Sequence, residues 1–155
     1  MTVAQARRSI GWRVGLLAAL CALAASAVLA ADALGFIQSL PGCGPSSGCA
    51  KVTSGPWGNI LGWPTSFVGV AWFWGLLLAW LAGPPSSQLR WCIRLGVLGS
   101  MGLVVIMATQ GALCRWCAAA HAANLVLWLS AEMSRGDSGS TRRALRRGLI
   151  GAAGL

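Results

Sequence analysis

Four cysteines are placed for thiol chemistry. Cys43 and Cys49 close one polar loop, Cys43-Gly-Pro-Ser-Ser-Gly-Cys49, and the second pair reads Cys114-Arg-Trp-Cys117. A C-x-x-C pair exchanges two electrons readily, because its sulfurs join with little backbone movement. A second pair elsewhere gives those electrons a source. Gly111-Ala112-Leu113 leads into Cys114 and an apolar segment follows at once. Cys114 is therefore expected near a helix N-terminus, where unpaired N–H groups and the helix dipole favour a thiolate. Arg115 adds a nearby cation, and Cys117 lies one turn deeper. Between the first two cysteines, Gly44, Pro45, Ser46, Ser47 and Gly48 make a turn-rich stretch, suited to sulfurs that must meet two partners in turn.

The elements that carry these residues are apolar. The chain of 155 residues is 56% hydrophobic and 10% charged, a balance that excludes an ordinary soluble domain. A spanning helix needs about 20 mostly apolar residues. Four segments qualify, at about 14–31, 65–82, 95–113 and 114–133, and they predict an all-α, integral membrane four-helix bundle. The expected divisions are a cytoplasmic N-terminus at 1–13, a transmembrane domain at 14–133 and a basic cytoplasmic tail at 134–155. The long connection 32–64 is expected to cap the bundle on its extracytoplasmic face, with the apolar stretch Val52–Trp63 against the membrane surface. Loops of that length are uncommon unless functional.

The net charge of +9 follows the ends of the spans and points away from nucleic acid. Arg7, Arg8 and Arg13 precede the first span, Arg90 and Arg94 precede the third, and five arginines follow the fourth. Under the positive-inside rule this places both termini and the 83–94 turn in the cytoplasm. Both cysteine pairs then share the outer face, in a multi-pass protein of the cell (inner) membrane in contact with lipid. The tail from Arg142 is basic enough to lie on anionic lipid. The first span imitates a secretory signal, with Ala31-Asp32-Ala33 as a small-residue site, but it exceeds the usual apolar core and is expected to stay.

Other residues have plainer readings. Cys21 and Cys92 are expected to be reduced packing residues, since neither reaches the outer pairs without crossing hydrocarbon. Trp72, Trp74 and Trp80 crowd the second span, while Trp63 and Trp91 stand at expected interfaces. Gly96, Gly99 and Gly102 predict a packing seam on the third span. Three chemistries are open to the four outer cysteines: static disulfides, a zinc site shared with His121, or a redox relay. The relay uses both pairs, the loop and the shared face.

With these residues in place, the chain resembles the vitamin K epoxide reductase family, in its bacterial disulfide-forming branch. The matching features are Cys43 and Cys49, then Ser54, Trp57-Gly58 and Gly62-Trp63-Pro64 entering the second span. Cys114-Arg-Trp-Cys117 follows, with His121 and Asn124 downstream. The resemblance covers roughly residues 12–133. It implies that a thioredoxin-fold partner of the DsbA type, on a separate chain, exchanges with Cys43. Cys49 then exchanges with Cys114, and Cys117 delivers electrons to a quinone, either menaquinone/phylloquinone or ubiquinone. It also makes Asn124, His121, Ser54 and Trp57 candidate quinone-binding residues, with no metal. His121 stands where the animal enzymes have tyrosine, and Gly55 stands where a serine is frequent. Packing and quinone contact are both open to His121, as interhelical bonding and quinone contact are to Asn124. Reduction of a vitamin K-type epoxide or quinone, or a structural or metal-binding role, are the alternatives.

Overall fold

The computed structural model describes residues 3–37, 40–44 and 46–134. The chain runs through α1 (Val3–Ala33), α2 (Gly48–Thr53), β1 (Asn59–Ile60), β2 (Trp63–Pro64), α3 (Thr65–Leu81), α4 (Ser87–Thr109) and α5 (Arg115–Met133). It is mostly helical. The only sheet among the described residues is a two-stranded antiparallel ladder pairing Asn59 with Pro64 and Ile60 with Trp63. Among the described residues, Ile10–Ala33 and Ser87–Thr109 are long and apolar enough to cross a membrane, and Thr65–Leu81 is a shorter apolar helix. The expected tail lies outside the described residues from 135 onward.

Four long helices pack side by side, with α1 central against α5 and α3, and α4 laid mainly on α5. The sequence explains the centre. Gly11, Gly15, Ala18, Ala22, Ala25 and Leu29 are all buried, and their alternating steps of four and three residues keep one face of α1 small and apolar. Ala19, Phe73, Leu76, Leu77, Trp80, Ile93, Ala123 and Leu127 complete the core. Trp80 is fully buried, and its Nε1 donates to the Trp12 carbonyl at 3.1 Å. A Cβ on Gly15 would overlap this indole, with Cη2 at 2.7 Å. Gly15→Val is expected to cost about 1–3 kcal/mol through overpacking, read as a lowered thermal midpoint in detergent. Gly75→Ala, which meets open space, is the control, and equal midpoints would contradict this packing.

Three expectations are corrected. The third helix begins at Ser87 rather than 95, because Ser86 caps it by accepting from the Leu89 amide at 3.2 Å. Its arginines have partners near the start of the helix and on α5. Arg90 donates to the Pro85 carbonyl at 2.9 Å, and Arg94 pairs with Glu132 of α5 at 2.6 Å while lying 5.1 Å from the Trp91 ring centre. The glycine seam is the second. Only Gly96 is packed, with Trp72 Nε1 2.7 Å from its Cβ direction, while Gly99 and Gly102 face open space. Steps of three residues drift about 60° per step around a 3.6-residue helix, so the three glycines do not share a face, and the small seam belongs to α1. Third, Cys21 and Cys92 are free, as expected, but exposed rather than packed.

Between α1 and α3 the described residues form two short elements, α2 and the β1–β2 hairpin. Leu61 and Gly62, both at positive φ, turn the hairpin as a two-residue loop requires. Thr65 ties the hairpin to α3: its Oγ1 donates to the Trp57 carbonyl at 2.8 Å and its amide to the Gly58 carbonyl at 2.9 Å. Trp57, Leu61 and Trp63 are exposed.

Candidate functional site

The two cysteine pairs meet at one end of the helices. Cys43 is bonded to Cys49, and Cys114 to Cys117. Between the pairs, Cys49 Sγ lies 3.3 Å from Cys114 Sγ. Both facing cysteines are buried, Cys49 at 2% and Cys114 at 0% exposure, while Cys43 and Cys117 are partly accessible. The two sulfurs that face each other are thus shielded, and the other sulfur of each pair is reachable.

Local sequence explains the approach. Ser47 caps α2 by accepting from the Ala50 amide at 3.4 Å, which sets Cys49 in the first turn. Gly48 lets this turn rest on the segment entering α5: a Cβ there would lie 2.5 Å from the Leu113 carbonyl oxygen and 2.7 Å from its nitrogen. Cys114 occupies the N-cap of α5, where its Sγ accepts from the Cys117 amide at 3.2 Å. This is the expected helix N-terminus, and it favours negative charge on that sulfur when the pair opens. The two residues between Cys114 and Cys117 hold the opposite loop. Trp116 Nε1 donates to the Pro41 carbonyl at 3.3 Å, and the Arg115 side chain lies along Gly42. Leu29, Met107 and Val52 pack around the sulfurs.

Beside the pairs, α4 and α5 border a cleft of about 660 Å³, within the usual range for small-molecule sites. Its walls are mostly apolar, including Val97, Met101, Val104, Met107, Leu113 and Leu125, with Ser100 and His121 as the polar side chains. Leu113 and Ala118, which bracket the C-x-x-C, also line it, whereas none of the four cysteines does. His121 Nδ1 is 3.1 Å from Ser100 Oγ, and Asn124 Nδ2 donates to the same oxygen at 2.9 Å. Asn124 is buried and its Oδ1 has no hydrogen-bond partner among the described residues. An apolar cleft with a few polar groups at its wall fits a flat, carbonyl-bearing ring such as a quinone. Among the described residues no three His, Cys, Asp or Glu side chains are grouped to hold a metal ion.

The structure brings His121 and Asn124 together through Ser100, but sets Ser54 and Trp57 apart from this cleft. Ser54 caps the end of α2, its Oγ donating to the Ala50 carbonyl at 2.6 Å, and Trp57 is exposed beside the hairpin. Sequence reasoning missed Gly48, Trp116 and Ser100 as working parts. The signal for Ser100 was present: a hydroxyl in the middle of an apolar segment generally has a partner.

No curated protein and no solved structure matches the chain. The sequence model of the vitamin K epoxide reductase family matches residues 13–131, a stretch that includes both cysteine pairs and the cleft. The chain belongs to the vitamin K epoxide reductase family, whose members are membrane thiol–disulfide oxidoreductases that work with quinones.

Proposed function

We propose that this protein oxidises a thioredoxin-fold thiol partner and passes the electrons through its two cysteine pairs to a quinone, as the disulfide-forming bacterial branch of the family does. The observation that carries this reading is the 3.3 Å approach of Cys49 Sγ to Cys114 Sγ. A partner thiolate attacks Cys43, the accessible sulfur, forming a mixed disulfide and releasing Cys49 as a thiolate. The partner's second thiol then displaces Cys43 and leaves as a disulfide. Cys49 attacks Cys114, breaking Cys114–Cys117 and releasing Cys117. Cys43 attacks Cys49 in turn, restoring the first disulfide and leaving Cys114 and Cys117 reduced. Each exchange needs a thiolate facing a disulfide sulfur, and the Cys117 amide steadies charge on Cys114 as it leaves.

A quinone bound in the α4/α5 cleft would supply the acceptor for the final two electrons and two protons. Ser100 and His121 would hold its polar edge, with Asn124 anchoring Ser100 from behind, and the apolar wall its ring. Ser54 and Trp57, set apart from the cleft, have no part in this site.

In this reading the four long helices form a membrane bundle of the inner membrane. The cysteines and the α2–hairpin cap lie on the extracytoplasmic face, and the Arg94–Glu132 pair lies near the cytoplasmic one. Along α5, Cys114 and Glu132 are about 27 Å apart at 1.5 Å per residue, close to the thickness of the hydrocarbon layer. The removal of α1 as a signal would take the centre out of the core.

The test follows quinone absorbance in detergent with a reduced DsbA-type donor. Cys43→Ala is expected to lose oxidation of the partner while a small dithiol still drives quinone loss. Cys117→Ala is expected to stop both. Full-rate partner oxidation by Cys43→Ala would overturn the role of Cys43, and turnover by Cys117→Ala would remove that residue from the mechanism.

A further inference from the structure

Ser100 has one hydroxyl proton and two neighbours. Asn124 Nδ2 can only donate, so at 2.9 Å it fixes Ser100 Oγ as an acceptor on that side. The Ser100 proton is then free for His121 Nδ1 at 3.1 Å. A neutral imidazole that accepts at Nδ1 carries its proton on Nε2. The opposite order would turn the Asn124 amide so that its oxygen accepts from Ser100. That would leave a buried NH2 group, rather than a carbonyl oxygen, without a partner. Orphaned buried N–H groups are the rarer case, since an oxygen tolerates under-satisfaction better. Were Ser100 to accept from both neighbours through its two lone pairs, its own proton would have no acceptor among the described residues, since these two are its only hydrogen bonds there. The chain of bonds therefore runs from Asn124 through Ser100 to His121.

We infer that Ser100, anchored by Asn124, is a positioning residue that holds His121 as the Nε2–H tautomer, so that the histidine offers the α4/α5 cleft a hydrogen-bond donor. Both Ser100 and His121 line that cleft. A donor there suits a ligand whose edge is an acceptor oxygen, such as a quinone carbonyl, and disfavours one that presents a hydroxyl proton. This specificity rests on the proposed quinone site; the tautomer does not, because it is set by the protein alone.

His121 is the single histidine of the chain, so ¹⁵N-histidine labelling gives one imidazole to observe by NMR in detergent. The wild-type protein is expected to show a protonated, pyrrole-type Nε2 and an unprotonated, pyridine-type Nδ1. Ser100→Ala is expected to replace this by a mixture of tautomers, and Ser100→Thr, which keeps the hydroxyl, to restore it. A wild-type ring protonated on Nδ1, or on both nitrogens, would overturn the inference. So would a Ser100→Ala spectrum identical to wild type. If Ser100→Ala does not fold, the wild-type spectrum still decides the direction of the chain. In quinone titrations Ser100→Ala is expected to raise KM more than it lowers kcat. The predicted tautomer in a protein that reduces no quinone would leave Ser100's role intact and remove the proposed function instead.

Discussion

A Cys43→Ala/Cys117→Ala variant is expected to close a disulfide between Cys49 and Cys114. The two sulfurs already lie 3.3 Å apart, within about 1.3 Å of the ~2.05 Å disulfide bond length. Removing the two outer cysteines takes away the competing partner of each inner one. The trapped species is the central intermediate of the proposed relay, so its yield tests that relay's geometry without any quinone or thiol donor. After mild oxidation with diamide, trypsin should release the peptides 14–51 and 95–115 joined by one bond, and reduction should separate them. Near-complete joining is expected, because both sulfurs are buried against each other and bimolecular oxidation is shielded. Free thiols at both positions after oxidation would mean that the pairs do not meet, and the relay would lose its middle step.

The second large effect concerns a residue with no chemistry of its own. Gly48→Ala is expected to lower the rate of electron transfer from partner to quinone about 100-fold, the loss that a displacement of about 1 Å typically causes. The added methyl would face the Leu113 oxygen at 2.5 Å, nitrogen at 2.7 Å and carbonyl carbon at 2.9 Å. These are backbone atoms and cannot rotate aside, so α2 must lift and carry Cys49 away from Cys114. Each pair should still form its own disulfide, and a small dithiol that reaches Cys114–Cys117 directly should still drive quinone loss. Gly44→Ala, in the same loop but facing open space, should behave as wild type. Wild-type transfer by Gly48→Ala would show that this close contact does not govern the approach.

The two glycines also mark how far a linear reading reaches. Gly44 and Gly48 stand in one turn-rich stretch and look alike in sequence; only the neighbouring Leu113 backbone distinguishes them. Likewise Gly96, Gly99 and Gly102 suggested a helix seam that their 300° spacing could not keep on one face, whereas the buried small residues of α1 do keep one. Arg90 and Arg94 suggested a turn, because charge was read as the end of a span. The Ser86 cap and the partners available to long side chains allow the helix to start earlier.

The sequence by itself determined the pairing of chemistry with position. The spacing of Cys114 and Cys117, the small polar loop between Cys43 and Cys49, and the start of an apolar segment beside Cys114 are local facts. Disulfide reach and helix capping depend on neighbours within a few residues. What only the tertiary structure decided is which sulfur faces which, and what stands beside them. Cys49 meets Cys114 across 65 positions of chain, and Ser100 joins His121 and Asn124 from a different helix. Such contacts depend on how helices pack, a choice made jointly by side chains far apart in sequence, and no local spacing records it.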